Sequence, residues 1–160
     1  MTYVKRVAAG GKPGAQYRVV DAQPLLVLLT EDDEDLRATL AEILEAHGFR
    51  VAVAVDGQHA LNRLAQGVAP CAILLDWMMP RVNGEAFLRA RAESTFLSSI
   101  PVFVMSATHL PPVGYRIQGF LAKPFALEDL LPMLRTVCDT HCPPQRRFEC
   151  RRLTAPDGAA

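Results

Sequence analysis

A doubly wound α/β fold, one parallel sheet covered by helices on both faces, is predicted by three observations. Short, continuously apolar runs recur along the chain, as strands buried on both faces require. Stretches with helical spacing separate them, so the order strand, helix, strand, helix repeats and implies parallel pairing. Each of four apolar runs ends in, or is followed by, a charged or hydroxyl residue.

Residues 1–22 contain GGKPG and no sustained periodicity, and are expected to be a mobile lead-in. GGKPG is not a phosphate loop, because Pro13 follows Lys12 where Ser or Thr is needed and the leading Gly is absent. The pattern changes at Pro24. LLVLLT, residues 25–30, is a strand suited to burial on both faces. Leu36, Leu40, Ile43, Leu44 and His47 then recur at helical spacing until Gly48 ends them. Residues 49–55 alternate as a strand, weakened by alanines, and residues 57–66 form a short helix with Ala60, Leu61 and Leu64 inward. Residues 71–76 are the next apolar strand, and Asn83 caps a helix carrying Phe87 and Leu88. Residues 101–105 and 119–122 are the last two strands. Leu127, Leu130, Leu131, Leu134 and Val137 define the terminal helix, with Pro132 about two turns in, where it removes a backbone donor.

The 160 residues suit one domain at about 24–138, and half of them are apolar, enough for a core. Seventeen basic residues balance seventeen acidic ones, so net charge argues for neither nucleic acid nor membrane. Charge is uneven, however. Both ends are mildly basic, and five acids stand together at Glu31, Asp32, Asp33, Glu34 and Asp35. No apolar stretch has the length of a membrane span, and the start lacks a signal-type segment, so a cytoplasmic protein with Cys71, Cys138, Cys142 and Cys150 as thiols is expected. The spacing of the last three lacks the close pairs of zinc motifs. Residues 139–160 are expected to be a flexible tail; its Arg pairs flanking Phe148 are the one feature in favour of nucleic acid, and no nucleic-acid role is expected.

Ligands of doubly wound folds bind outside the carboxyl ends of the strands. Glu31 and Asp32 follow the first strand, Asp76 ends the third, Ser106 follows the fourth and Lys123 the fifth. Four strands thus deliver three carboxylates, a hydroxyl and an ammonium to one edge. Asp33, Glu34 and Asp35 are instead assigned to helix capping and the first turn, where the helix dipole favours acids.

LLTEDDEDLR, ILLDWMMPRVNG, VFVMSA and GFLAKPF, in that order and spacing, resemble the receiver domain of bacterial two-component response regulators over about residues 24–138. The resemblance implies a flavodoxin-like, five-stranded sheet in the order 2-1-3-4-5. It implies that Asp76 is the phosphoacceptor, that Glu31, Asp32, Asp76 and the Met78 backbone carbonyl bind Mg²⁺, and that Lys123 is the basic partner. Ser106 takes the position of the hydroxyl that contacts the phosphoryl group, and Phe120 that of the aromatic switch residue. Lys123-Pro124 matches a position where the peptide bond is usually cis.

The implied role is a single-domain, CheY-like regulatory phosphoacceptor rather than a turnover enzyme. It would take a phosphoryl group from a histidine kinase or histidine phosphotransfer protein and signal by contact with a downstream protein, with a dimer among the assemblies allowed. Chemically, an aspartate attacks phosphorus only when the repulsion between its charge and the phosphoryl oxygens is neutralised. Mg²⁺ suits this because it takes oxygen ligands, and Lys123 adds a fixed charge. An apolar Met78 two residues after Asp76 suggests slow self-dephosphorylation. Two other readings stay open: a phosphorylation-independent interaction module with this fold, and the receiver portion of a hybrid histidine kinase. His47, His59, His109 and His141 follow no helical phosphotransfer pattern.

One stretch departs from the family. THLPPVGYRIQ, with Pro111, Pro112 and Gly114, stands where the fourth helix is expected and lacks clean periodicity. That helix is predicted to be shortened, replaced by a loop, or reduced to the residues around Tyr115. Signal output is then expected not to use the usual face in the usual way.

Overall fold

The computed structural model describes residues 3–6, 17–20, 24–108 and 113–141, and gives side-chain surroundings from residue 24 onward. The first two strands, β1 (Tyr3–Arg6) and β2 (Tyr17–Val20), pair antiparallel with each other. They fall within the stretch expected to be a mobile lead-in. Strands of four residues leave no periodic signal to read.

The remaining strands are β3 (Leu25–Thr30), β4 (Phe49–Ala54), β5 (Ala72–Asp76), β6 (Val102–Ser106) and β7 (Gly119–Ala122). They form an all-parallel sheet in the order β4-β3-β5-β6-β7, which is the 2-1-3-4-5 order within this sheet. The helices are α1 (Glu34–Ala46), α2 (Gly57–Ala65), α3 (Gly84–Ala92), a single turn α4 (Thr95–Ser98) and α5 (Leu127–His141).

Alternation within the central strands divides the core in two. Val27, Leu29, Leu74, Phe103 and Met105 face one layer with Leu40 and Leu44 of α1 and Leu130, Leu134 and Val137 of α5. Leu26, Leu28, Ile73, Leu75, Val102 and Val104 face the other, with Ala60 and Leu64 of α2 and Phe87 and Leu88 of α3. The two-residue period of a strand thus supplies both cores from one apolar run. Edge strand β4 keeps an exposed Arg50 between buried Phe49 and Ala52.

Side-chain caps start four of the helices, Ser94 capping α4 through the Leu97 amide and the other three more tightly. Asp33 Oδ1 accepts from the Leu36 amide at 2.9 Å, Asp56 Oδ1 from His59 at 2.7 Å and Asn83 Oδ1 from Ala86 at 2.9 Å. Glu34 and Asp35 fill the first turn of α1, as expected of acids there. His47, the last residue of the helical spacing, is the exposed C-cap of α1. Helix α5 runs through Pro132 and continues to His141, a little past the expected end of the domain.

Between β6 and β7 the described residues contain no helix; 113–118 are bends and irregular chain. Contacts at Tyr115 and Arg116 hold the described part of this connection to α3. Tyr115 reaches Glu85, and the buried Arg91 guanidinium donates to the carbonyls of Arg116, Leu97, Ser98 and Ile100 at 2.6–3.1 Å. Cys71, expected as a thiol, is disulfide-bonded. Sequence spacing carries no information on such pairing. His109, Cys142, Cys150 and the tail 142–160 lie outside the described residues. No helix among the described residues is long and apolar enough to cross a membrane.

Candidate functional site

The carboxyl edge of the sheet gathers its polar residues because the strands are parallel and end together. Asp76, the last residue of β5, lies opposite Met105 of β6, and Ser106 lies opposite Ala122 of β7. Thr30 ends β3 beside Leu75, which puts Glu31 and Asp32 next to Asp76. Glu31, Asp32 and Asp76 each offer one oxygen such that all three lie within 4.8 Å of one another. Glu31 and Asp76 are buried and Asp32 is exposed, so this cluster opens to solvent on one side.

Lys123 crosses the site. Its Nζ stands 2.7 Å from Glu31 Oε2 and 3.1 Å from Asp76 Oδ1. Its amide donates to the Ser106 carbonyl at 2.7 Å, and the peptide bond to Pro124 is cis. Burial pushes the Lys123 pKa down, but the Glu31 and Asp76 carboxylates together outweigh it and hold the group above the ordinary lysine value. Burial raises Glu31 above the usual carboxylate range, and the hydrogen bond from Lys123 only partly offsets this. Three carboxylates facing one ammonium leave an excess of negative charge, and oxygen-rich, partly hydrated sites of this kind suit Mg²⁺.

Ser106 is fully buried, yet its hydroxyl is engaged: Oγ lies 2.9 Å from Thr108 Oγ1 and accepts from the Thr108 amide at 3.1 Å. Met78 is 64% exposed, so its side chain stands beside the site in solvent. Phe120 is half-buried against the α2/α3 core, among the residues that include Trp77, Tyr115 and Ile117.

Several neighbours escape sequence reasoning. Arg37 Nη1 donates to the carbonyls of Glu31 and Asp32 at 2.9 and 3.1 Å, which fixes the acidic turn from α1. Thr108 holds Ser106, and an S-x-T spacing after a strand is a local signal that could have found it. Asp56 and Arg81 form an ion pair flanking the loop that follows Asp76. An Asp-Gly before a helical stretch announces the cap, but nothing local announces its arginine.

Comparison with known proteins agrees with this geometry. Residues 27–135 match the family model described as the response regulator receiver domain. Response regulator MprA of Mycolicibacterium vanbaalenii is 34% identical over 143 residues, covering 85% of this chain and 54% of that protein. The MprA of Mycobacterium avium is 36% identical over 118 residues, covering 69% and 50%. The chain thus spans about half the length of the curated relatives it matches. Among solved structures, the receiver domain of the sensor histidine kinase PA1611 from Pseudomonas aeruginosa, with a magnesium ion coordinated in its active-site cleft, is 25% identical. It aligns with a TM-score of 0.66 over 72% of this chain and 98% of its own. The chemotaxis response regulator CheY4 of Vibrio cholerae is 29% identical, with a TM-score of 0.63 over 71% and 98%. By its sequence match, its parallel sheet and the position of its acidic cluster, the chain belongs to the response regulator receiver domain family.

Proposed function

We propose that this chain is a phosphoacceptor switch of a two-component or phosphorelay pathway, modified on Asp76. The observation that carries this is the placement of the buried Asp76 carboxylate between Lys123 Nζ at 3.1 Å and the oxygens of Glu31 and Asp32. An Asp76 oxygen attacks phosphorus, the bond from phosphorus to the donor nitrogen or oxygen breaks, and the leaving group keeps the electron pair. Glu31, Asp32, Asp76 and the Met78 carbonyl would hold Mg²⁺, which supplies positive charge against the phosphoryl oxygens when bound. Lys123 orients Asp76 and contributes a second charge.

Ser106 is the hydroxyl for the phosphoryl group. To reach it, Ser106 gives up its bond to Thr108, and Phe120 is the residue positioned to respond to that movement. A histidine kinase or histidine phosphotransfer protein would be the donor, and an unidentified protein the target. A cytoplasmic setting follows from these partners. The Cys71 disulfide weighs against a reducing compartment, so titration of free thiols in freshly extracted protein checks that part of the proposal.

The test is intact-protein mass after incubation with Mg²⁺ and a small acyl phosphate, beside Asp76→Asn and a Mg²⁺-free control. A gain of one phosphoryl group, lost in both controls, supports the proposal. No gain in folded, Mg²⁺-binding protein shifts the weight to a phosphorylation-independent module. A second assignment, the receiver portion of a hybrid kinase, draws on the likeness to the PA1611 receiver, which belongs to a sensor kinase.

A further inference from the structure

Arg81 is the one non-glycine residue with positive φ, 64°, among the described residues. Left-handed backbone is unfavourable for a side chain as large as arginine and persists where the surroundings impose it. It occurs here five residues after Asp76, in the loop that carries the Met78 carbonyl. The Arg81 guanidinium ion-pairs with Asp56, Nη2 to Oδ2 at 2.5 Å.

The two partners differ sharply in environment. The Arg81 side chain is 70% exposed, whereas that of Asp56 is 6% exposed. Asp56 divides its carboxylate: Oδ1 caps α2 through the His59 amide, and Oδ2 takes Arg81. Beside this pair the Gly57 amide donates to the Val82 carbonyl at 3.0 Å. A Cβ at Gly57 would come within 2.6 Å of that oxygen, so the two loops touch at the backbone. The same β4 end is tied to the acidic turn, since the Glu31 amide donates to the Ala54 carbonyl at 3.1 Å. Asp56 therefore connects the loop after Asp76 to the strand end that bonds to Glu31.

We propose that Arg81 is a positioning residue of the site. Its pair with Asp56 holds the 77–83 loop, and with it the Met78 carbonyl and the Asp76 carboxylate, in register with Glu31 and Asp32. This rests on the phosphoacceptor assignment of Asp76. Arg81 acts through backbone geometry and touches neither metal nor phosphoryl group.

The experiment compares wild type with Arg81→Ala, Arg81→Gly, Arg81→Lys and Asp56→Asn. Mg²⁺ affinity is read from the emission of Trp77, the single tryptophan of the chain, and phosphorylation by acyl phosphate is followed by intact mass. Arg81→Ala is expected to weaken Mg²⁺ binding and slow maximal phosphorylation, each by about tenfold, in line with supports of other metal ligands. Half-saturating acyl phosphate stays unchanged. Asp56→Asn gives the same loss, and combined with Arg81→Ala it adds nothing further. Arg81→Lys recovers most of it. Arg81→Gly relieves the backbone conformation, so it retains the thermal midpoint of the wild type while still losing Mg²⁺ affinity, which a merely structural role would not produce.

A wild type that binds Mg²⁺ and takes a phosphoryl group, with folded Arg81→Gly and Asp56→Asn within twofold of it, overturns the positioning role alone. A change confined to half-saturating acyl phosphate also overturns it, because that marks contact with the donor. A wild type that neither binds Mg²⁺ nor accepts a phosphoryl group overturns this role and the phosphoacceptor assignment together.

Discussion

The Tyr115 hydroxyl donates to Glu85 Oε1 at 2.9 Å, and its ring meets Trp77 edge-on with centroids 6.4 Å apart. One side chain of the β6–β7 connection thus bridges α3 and the residue directly after Asp76. Residues 113–118, the longer described part of this connection, form no helical ladder of backbone bonds, and side-chain contacts to α3 hold them.

Tyr115→Phe keeps the ring and removes the hydroxyl. Stability is expected to fall by about 1 kcal/mol, the net worth of a single hydrogen bond with a charged partner at a part-exposed site. Urea denaturation measures it, and Trp77 emission should shift as the ring loosens. An unchanged midpoint would mean that water replaces Glu85 without loss.

Arg91→Met should be far more costly. Four carbonyls accept from this buried guanidinium, and a thioether satisfies none of them. A loss of about 3 kcal/mol or more is expected, since buried acceptors left unpaired cost about 1–3 kcal/mol each and water will reach some of them. Denaturation gives the total, and hydrogen exchange should show faster opening of 113–118.

Mg²⁺ should stabilise the fold by binding the native cluster. At a hundredfold excess over its dissociation constant the gain is about 2.7 kcal/mol. A chelator should remove it, and Asp32→Asn should abolish most of it while leaving the metal-free midpoint close to that of the wild type, because Asp32 is exposed. Equal stabilisation of wild type and Asp32→Asn would place the cation elsewhere.

Glu31 sets a pH dependence in metal-free buffer. Burial raises its pKa above the ordinary 4.5, against the lowering effect of Lys123. Above pH 4.5 the folded protein therefore retains a proton that the unfolded chain has lost, and stability falls with rising pH across that window. The contribution is fully present below 4.5 and is lost as pH passes the raised value. Subtracting the profile of Glu31→Gln isolates it: the wild-type advantage should shrink as pH rises from 4.5, and an advantage that grows would contradict the assignment.

The strands at 25–30, 72–76 and 102–106 were legible in the sequence because burial on both faces demands unbroken apolar runs. The helices beside them were legible through caps such as Asp33 and Asn83. Asp76, Ser106 and Lys123 stood out because each is a polar residue closing an apolar run. The strand order came with the resemblance to receivers, and no periodicity in the chain contains it. The one-turn helix at Thr95–Ser98 is too short to establish a period, and the β1–β2 pair is equally brief.

Sequence by itself determined where the five strands of the parallel sheet and the four longer helices run and which side chains close the strands, because burial and capping act within a few residues of one another. Tertiary structure alone decided the pairings that hold the site and its neighbouring connection. Lys123 meets Glu31 across 92 positions of chain, Tyr115 meets Glu85 across 30, and Arg91 meets Arg116 across 25. Arg81 and Asp56 join two loops that only the parallel sheet brings side by side. Such contacts depend on how folded layers approach one another, and a short-range pattern of apolar and polar residues carries no record of that distance.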